Sequence, residues 1–319
     1  MENKIIPPKL KEGDTIGIVA PSKHLRKEHK GYLNKFKDYV EGELGLKVLF
    51  GKNIFEKDKF NTAAGTPEQR AEDINEMFKN KDVSAIWCYQ GGGAAIQILS
   101  LLDFDVIKEN PKLFLGMSDV DVLLLAINKM TGLITFNTPD SKRGRDLDLD
   151  FDYSRQSFVE RMFKGSKEIK PNSEWKCIRE GKSTGKIMDC NVSSILKLAG
   201  TKYFPNFDDS ILFLEGYKPN VEEMQWKLEQ LKQIGVFDKI KGIVIGFMYS
   251  FQDEEQRKEK DINFDFEDLV LEATKEYDFP ILKINEFGHR CQNTFLPIGV
   301  DLEMDAKEKT LKNLGDFIK

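Results

Sequence analysis

Only three histidines occur in the chain, His24, His29 and His289. Any reaction that needs an imidazole near neutral pH must therefore draw on one of them. His24 and His29 share a lysine-rich segment with no carboxylate or cysteine at metal-ligand spacing. His289 stands in Phe287-Gly288-His289-Arg290, a glycine-containing loop between two apolar runs. Glu215 closes the apolar run Ile211-Leu212-Phe213-Leu214. A carboxylate there is costly unless it is paired or faces solvent, and alone it reads equally well as a surface acid. Ser118 lies between Leu113-Phe114-Leu115-Gly116 and a long apolar stretch. On a sharp strand-to-helix turn its hydroxyl would be lifted from the sheet, with helix N–H groups ready to hold an oxyanion. The same position suits a plain helix cap, and the second glycine of a G-x-S-x-G elbow is missing. The three groups nonetheless fall in the order Ser–Glu–His, each at a strand edge or loop. An acid orienting a histidine that activates a serine is the standard way to make a hydroxyl nucleophilic.

The glycine run Gly91-Gly92-Gly93 follows Tyr89-Gln90 at the end of another apolar run. Three consecutive glycines call for positive φ or unusually close backbone approach. The run lacks the spacing of a dinucleotide fingerprint and the Lys-Ser/Thr of a P-loop. It could cradle an anion, but it fits better as one wall of a substrate site opposite Ser118, with Gln90, Gly91 and Gly93 as candidate contacts. No metal site and no cofactor motif emerges.

The elements that must position these residues alternate. Short apolar strands are expected at 14–21, 47–51, 83–89 and 112–117, with helices at 28–44, from Thr66, at 94–102 and at 119–130. Thr66-Pro67-Glu68-Gln69 carries an N-cap, a proline at the first helical position and a capping-box glutamine. This alternation predicts a doubly wound, mainly parallel sheet of flavodoxin or Rossmann type, with functional groups beyond the carboxyl ends of its strands. Residues 139–180 are charged and poor in aliphatics, which suits a linker or surface excursion. Further strands are expected at 209–217, 240–250, 280–284 and 294–300, with a helix over 221–234. The division reads as an N-terminal α/β domain over 1–150, a linker or excursion over 151–170 and a C-terminal domain over 171–319.

Bulk properties exclude several classes. Of the 319 residues 40% are hydrophobic and 32% charged, with a formal net charge of −5 and interspersed signs, so no basic face for a nucleic-acid polymer is formed. No apolar stretch is long enough to span a bilayer, and residues 1–12 lack the apolar core of a secretory signal. Four cysteines without CxxC spacing read as reduced thiols of a cytoplasmic protein.

The chain resembles the LD-carboxypeptidase family of serine peptidases, which includes muropeptide LD-carboxypeptidases and microcin C-type self-immunity peptidases. The likeness runs through LKEGDTIGIVAPS (10–22), YQGGGA (89–94), LLDFDVIKENPKLFLGMSD (101–119), AGTKYFPNFDDSILFLE (199–215), IKGIVIG (240–246) and FGHRCQNTFLPIG (287–299). The resemblance implies a C-terminal β-rich, barrel-like domain and a catalytic set of Ser118, Glu215 and His289. It also implies an oxyanion hole from the backbone N–H groups of Asp119 and Gly92, a homodimer, and a small peptide or modified peptide as substrate. Acyl transfer would cleave an L,D-bond and release a terminal D-amino acid from a murein-type peptide. The alternatives are a peptidyl- or aminoacyl-nucleotide substrate, or a catalytically silent peptide-binding relative. The chain departs from the family where selectivity is set. Gln90-Gly91-Gly92-Gly93-Ala94 replaces R-G-G-Y-G, Asp189-Cys190-Asn191 replaces G-G-N, and Arg290-Cys291 follows the histidine in place of small polar residues.

Overall fold

A computed structural model describes residues 4–139, 149 and 151–319. The strands in chain order are β1 (Thr15–Val19), β2 (Lys47–Phe50), β3 (Val83–Cys88), β4 (Leu113–Gly116), β5 (Thr135–Asn137), β6 (Lys176–Arg179) and β7 (Lys182–Asn191). They continue as β8 (Ser210–Gly216), β9 (Ile240–Met248), β10 (Ile281–Gly288), β11 (Leu296–Ile298), β12 (Asp301–Asp305) and β13 (Thr310–Asn313). One sheet has the order β11-β5-β4-β3-β1-β2, all parallel except for β11 at its edge. The order 2-1-3-4-5 within it is that of the flavodoxin-like doubly wound fold, whose switch point lies between β1 and β3. Its inner strands are apolar on both faces because helices cover both; every residue of β4 is buried.

The helix Pro67–Lys79 begins as its sequence requires. The Gln69 N–H donates to the Thr66 hydroxyl at 3.3 Å, and the Gln69 side chain accepts from the Thr66 N–H at 2.8 Å. Such a cap stabilises a helix by about 1 kcal/mol. Ile74, Met77 and Phe78 form its buried face, and Phe78 stacks on Phe114 of β4 at 5.7 Å. The segment after Ser118 is a single 3₁₀ turn (Ser118–Val120) and then the helix Asp121–Thr131. Val122 through Ile127 are all buried in this helix. Over these residues it has no solvent face, as expected for a helix enclosed by neighbours, and only its last turn, at Met130, reaches the surface. Gly132, at φ 78°, ends it in the left-handed conformation.

The second sheet, ordered β13-β12-β7-β8-β9-β10-β6, curls into a half-barrel. Its four central strands are parallel, so Asn191, Glu215 and Gly288 all lie at carboxyl ends. The fold class expected from the sequence is the one observed.

Two features were not foreseen. Residues 152–163, within the span expected as linker or excursion, form an α-helix (Asp152–Phe158) running into a π-turn (Val159–Phe163). Phe158 and Met162 are buried against the N-terminal sheet, with Phe158 5.3 Å from the Trp87 ring. The buried Arg161 guanidinium donates to the Phe295 carbonyl at 2.6 Å, the Ser166 carbonyl at 2.9 Å and Asn313 Oδ1 at 2.7 Å. Burial pushes its pKa down to about 10, still well within the charged range. The charged residues 140–148 of that stretch lie outside the described residues. The second feature is that the C-terminal half returns to the first sheet. There β11 pairs with β5, and Phe317 and Ile318 pack in the same core as Trp87.

Candidate active site

Ser118 follows β4 with φ at 64°, a left-handed conformation that costs a non-glycine residue roughly 1 kcal/mol or more. Its carbonyl accepts a hydrogen bond from Ser194 Oγ at 2.7 Å, which ties the turn to the helix Val192–Leu198 beyond β7. The glycine run closes over it. A Cβ at Gly91 would stand 2.9 Å from Ser118 Cβ, 3.0 Å from its Oγ and 3.2 Å from the Asp119 nitrogen. Only glycine allows the loop after β3 to come so close.

The Asp119 side chain enters a buried polar knot at the far end of the glycine run. Ser22 Oγ, from the loop after β1, donates to it at 2.7 Å. The Ala95 N–H donates at 2.9 Å, and Lys197 pairs with its other oxygen at 2.5 Å. Ser22 Oγ in turn accepts from the N–H groups of Gly93 and Ala94 at 3.1 and 3.2 Å. A Cβ at Gly92 would meet that hydroxyl at 2.4 Å. One serine and one aspartate thus fix the glycine loop, the Ser118 turn and the helix Val192–Leu198 against one another. The site sits beyond the β1/β3 switch point, where such sheets place their ligands.

From the other sheet, His289 Nδ1 lies 2.6 Å from Glu215 Oε2. Both side chains are buried, and the other Glu215 oxygen accepts from Asn191 Nδ2 at 2.8 Å. A carboxylate that is ionised only accepts, so with a neutral ring beside it Nδ1 carries the proton and Nε2 is the acceptor. The Asn191 N–H donates to Asp121 Oδ2 at 2.7 Å, which connects the acid's support to the helix behind Ser118. Tyr217 covers the imidazole with ring centroids 4.9 Å apart, and Tyr249 stacks on Tyr217 at 5.7 Å. Asp189, two residues before Asn191, is fully buried with neither carboxyl oxygen hydrogen-bonded. Burial, and then the charge of Glu215, hold its pKa well above the usual carboxylate range.

A pocket of about 280 Å³ opens between the two sets of strand ends. Gly92, Ser118 and Asp119 line one side, while Asn191, Ser193, Ser194, Lys197, Tyr217, Lys218 and Glu223 line the other. Of the glycine-loop candidates, Gly92 faces the pocket and Gly91 supports Ser118. Gly93 contributes its N–H to Ser22, and Gln90 is half-buried outside the lining.

The model of the LD-carboxypeptidase N-terminal domain matches residues 16–138, and that of the C-terminal domain matches residues 184–304. The chain belongs to the LD-carboxypeptidase family. A probable murein peptide carboxypeptidase of Bacillus subtilis is 29% identical over 310 residues, covering 95% of this chain and 92% of the relative. The microcin C7 self-immunity protein of Escherichia coli is 25% identical over 335 residues, covering 96% and 94%. Among solved structures, an MccF-like protein of Bacillus anthracis superposes with a TM-score of 0.83 at 29% identity, covering 98% of this chain and 99% of that one. The chain is thus a member of a peptidase family.

Several residues of this LD-carboxypeptidase-family site escaped the sequence reading. Ser22 enters the sequence reading only as the last residue of LKEGDTIGIVAPS, because a serine after a strand has many uses. Lys197 and Ser194 sit on a helix whose residues show nothing unusual in sequence. Tyr217 and Tyr249 belong to different strand ends, 32 residues apart in the numbering, and only the parallel pairing of β8 with β9, which sets Gly216 opposite Met248, brings them together.

Proposed function

We propose that the chain is a serine peptidase in which Ser118 is the nucleophile, His289 the general base and Glu215 the group that orients it. The observation that carries this reading is the 2.6 Å Glu215–His289 contact, which leaves Nε2 as a proton acceptor. The strained Ser118 turn supports it, since strain of this kind gathers where a side chain must be presented. In this reading the nucleophile belongs to an N-terminal domain of residues 1–150, and the acid and base to a C-terminal domain of residues 171–319.

Ser118 Oγ attacks the carbonyl carbon of the scissile amide as its proton passes to His289 Nε2. The oxyanion that forms accepts from the N–H groups of Asp119 and Gly92. Collapse of the tetrahedral intermediate expels the amine, which takes the proton from His289, and leaves an ester on Ser118. Water then attacks the ester, with His289 again as base, and the freed acid departs. Glu215 compensates the imidazolium at each stage.

The substrate is a small peptide whose leaving residue carries a free carboxylate. Lys218, on the pocket wall, is the cation best placed to meet that charge. Cleavage of the L,D-bond that ends a murein-type tetrapeptide fits this requirement, as does a cytoplasmic place in peptidoglycan recycling. A second reading, an immunity peptidase for peptidyl- or aminoacyl-nucleotides, is favoured by the likeness to the microcin C7 self-immunity protein. The two separate in a turnover assay with a tetrapeptide ending in D-alanine beside aminoacyl-sulfamoyl nucleotides. Release of D-alanine, lost in Ser118→Ala, supports the first reading. Cleavage of the nucleotides alone rejects it in favour of the second.

A further inference from the structure

Lys283, in β10, is buried at 3% exposure, yet no carboxylate contacts its ammonium. The three protons of Nζ are shared among Gln252 Oε1 and Asn285 Oδ1, each at 2.9 Å, the Ile284 carbonyl at 3.1 Å and the Gly246 carbonyl. All four acceptors are neutral. The titratable groups around this shell are Glu267 on the helix Phe266–Ala273, Glu286 on β10, Cys291 in the loop that follows, and Lys176 on β6. Burial pushes the Lys283 pKa down to about 8. A charge held at such a disadvantage calls for a reason in what it holds.

The ammonium sits at a break in the sheet. The β9–β10 ladder runs in register to Lys283 opposite Ile245 and resumes only at Gly288 opposite Phe247. Residues 284–287 of β10 therefore stand against Gly246 alone. Such a bulge re-aims the strand that carries it and leaves backbone groups without ladder partners. Lys283 takes up two of them, the carbonyls of Gly246 and Ile284. At the far end of the bulge Gly288, at φ 123°, leads directly into His289. Gly288 has no room for a side chain, since a Cβ would meet the Phe247 carbonyl oxygen at 2.5 Å.

Lys283 also holds the wall over the imidazole. Gln252 Oε1, its partner, accepts from the Met248 N–H at 2.8 Å, and the Gln252 amide donates to Asn285 Oδ1 at 3.0 Å. These bonds close the short helix Tyr249–Gln252. Tyr249 at its start stacks on Tyr217, and Tyr217 lies against His289.

We propose that Lys283 is a positioning residue for His289, its ammonium fixing both the β10 bulge that delivers the imidazole and the Tyr249–Tyr217 stack that lies on it. It touches no substrate. The inference rests on the reading of His289 as general base, and its test has a readout that does not depend on turnover. With three histidines in the chain, the His289 ring is resolvable by NMR and assignable through His289→Asn. In the wild type the ring resonances shift through a second step near pH 8, beyond the imidazole's own titration, and the rate of labelling by a fluorophosphonate falls across the same step. Lys283→Met, checked for folding by circular dichroism, displaces the resonances at every pH, lacks the step and labels about tenfold or more slowly. Gln252→Glu sets a carboxylate against the ammonium and moves the step upward by about one pH unit or more; it decides the matter if Lys283→Met does not fold. Ring resonances and a labelling profile identical in the wild type and the folded variants overturn the proposal. If the wild type is not labelled but the resonances move as described, the nucleophile assignment fails and the positioning role stands.

Discussion

At the scale of single residues, the candidate site depends on close approach and on buried carboxyl groups. Gly91→Ala would put a methyl group within 3.0 Å of the Ser118 hydroxyl oxygen. It should lower kcat by about 10²-fold and destabilise the fold by about 1–3 kcal/mol, which steady-state kinetics beside a thermal melt will check. Asp189 gives a pH signature. Its unfolded carboxyl titrates near 3.8 and its folded one well above that, so the native state binds the extra proton between the two values. Stability therefore falls as pH rises through that window, by up to about 1.4 kcal/mol per pH unit. Asp189→Asn has no such group. Urea denaturation at about pH 4 and about pH 7 should find the wild type losing ground to the variant on going to the higher pH, and a constant difference would contradict the assignment. As candidates, Ser118, Glu215 and His289 were legible because histidine is scarce and each stands at the end of an apolar run, and the resemblance to the family joined them into one proposed set. Asp189 was read only as a departure from a motif, because burial without a partner is a property of packing and leaves no mark in sequence.

At the scale of elements, the helix Asp121–Thr131 sets the rigidity of the Ser118 turn. Leu124, fully buried at its centre, should cost about 2–5 kcal/mol when cut to alanine, measured as a shift in the urea midpoint. This helix and the capped helix from Thr66 were readable because their signals are local: a continuous apolar run in one, a cap, proline and glutamine in the other. The helix Asp152–Phe158 with its π-turn was not. Its buried side is Ser154, Ser157, Phe158, Arg161 and Met162, of which only two are apolar, and buried serines and a buried arginine read in sequence as surface. The short strands β5, β6, β12 and β13 were also missed, since three to five residues carry little periodicity and only pairing with their neighbours defines them.

At the scale of the molecule, two mainly parallel sheets turn their carboxyl ends toward one pocket, lined by Ser118 from one and by Asn191, Gly216 and Tyr217 from the other, with the Glu215–His289 pair behind Tyr217. The alternation that predicts the first sheet is written along the chain, whereas the meeting of the two sheets is not. The Asp119–Lys197 contact spans that junction, with the Asp119 side chain fully buried. Lys197→Met removes a charged hydrogen bond from it and should cost about 1.5–3 kcal/mol, read from chemical denaturation. The central claim is that Ser118 is the nucleophile and His289 its base, and intact-protein mass spectrometry after fluorophosphonate treatment tests it most directly. The account predicts one adduct per chain, located by peptide mapping at Ser118, absent in Ser118→Ala and formed at least about 10³-fold more slowly in His289→Ala. An adduct on another residue, or one that persists undiminished in Ser118→Ala, would contradict it.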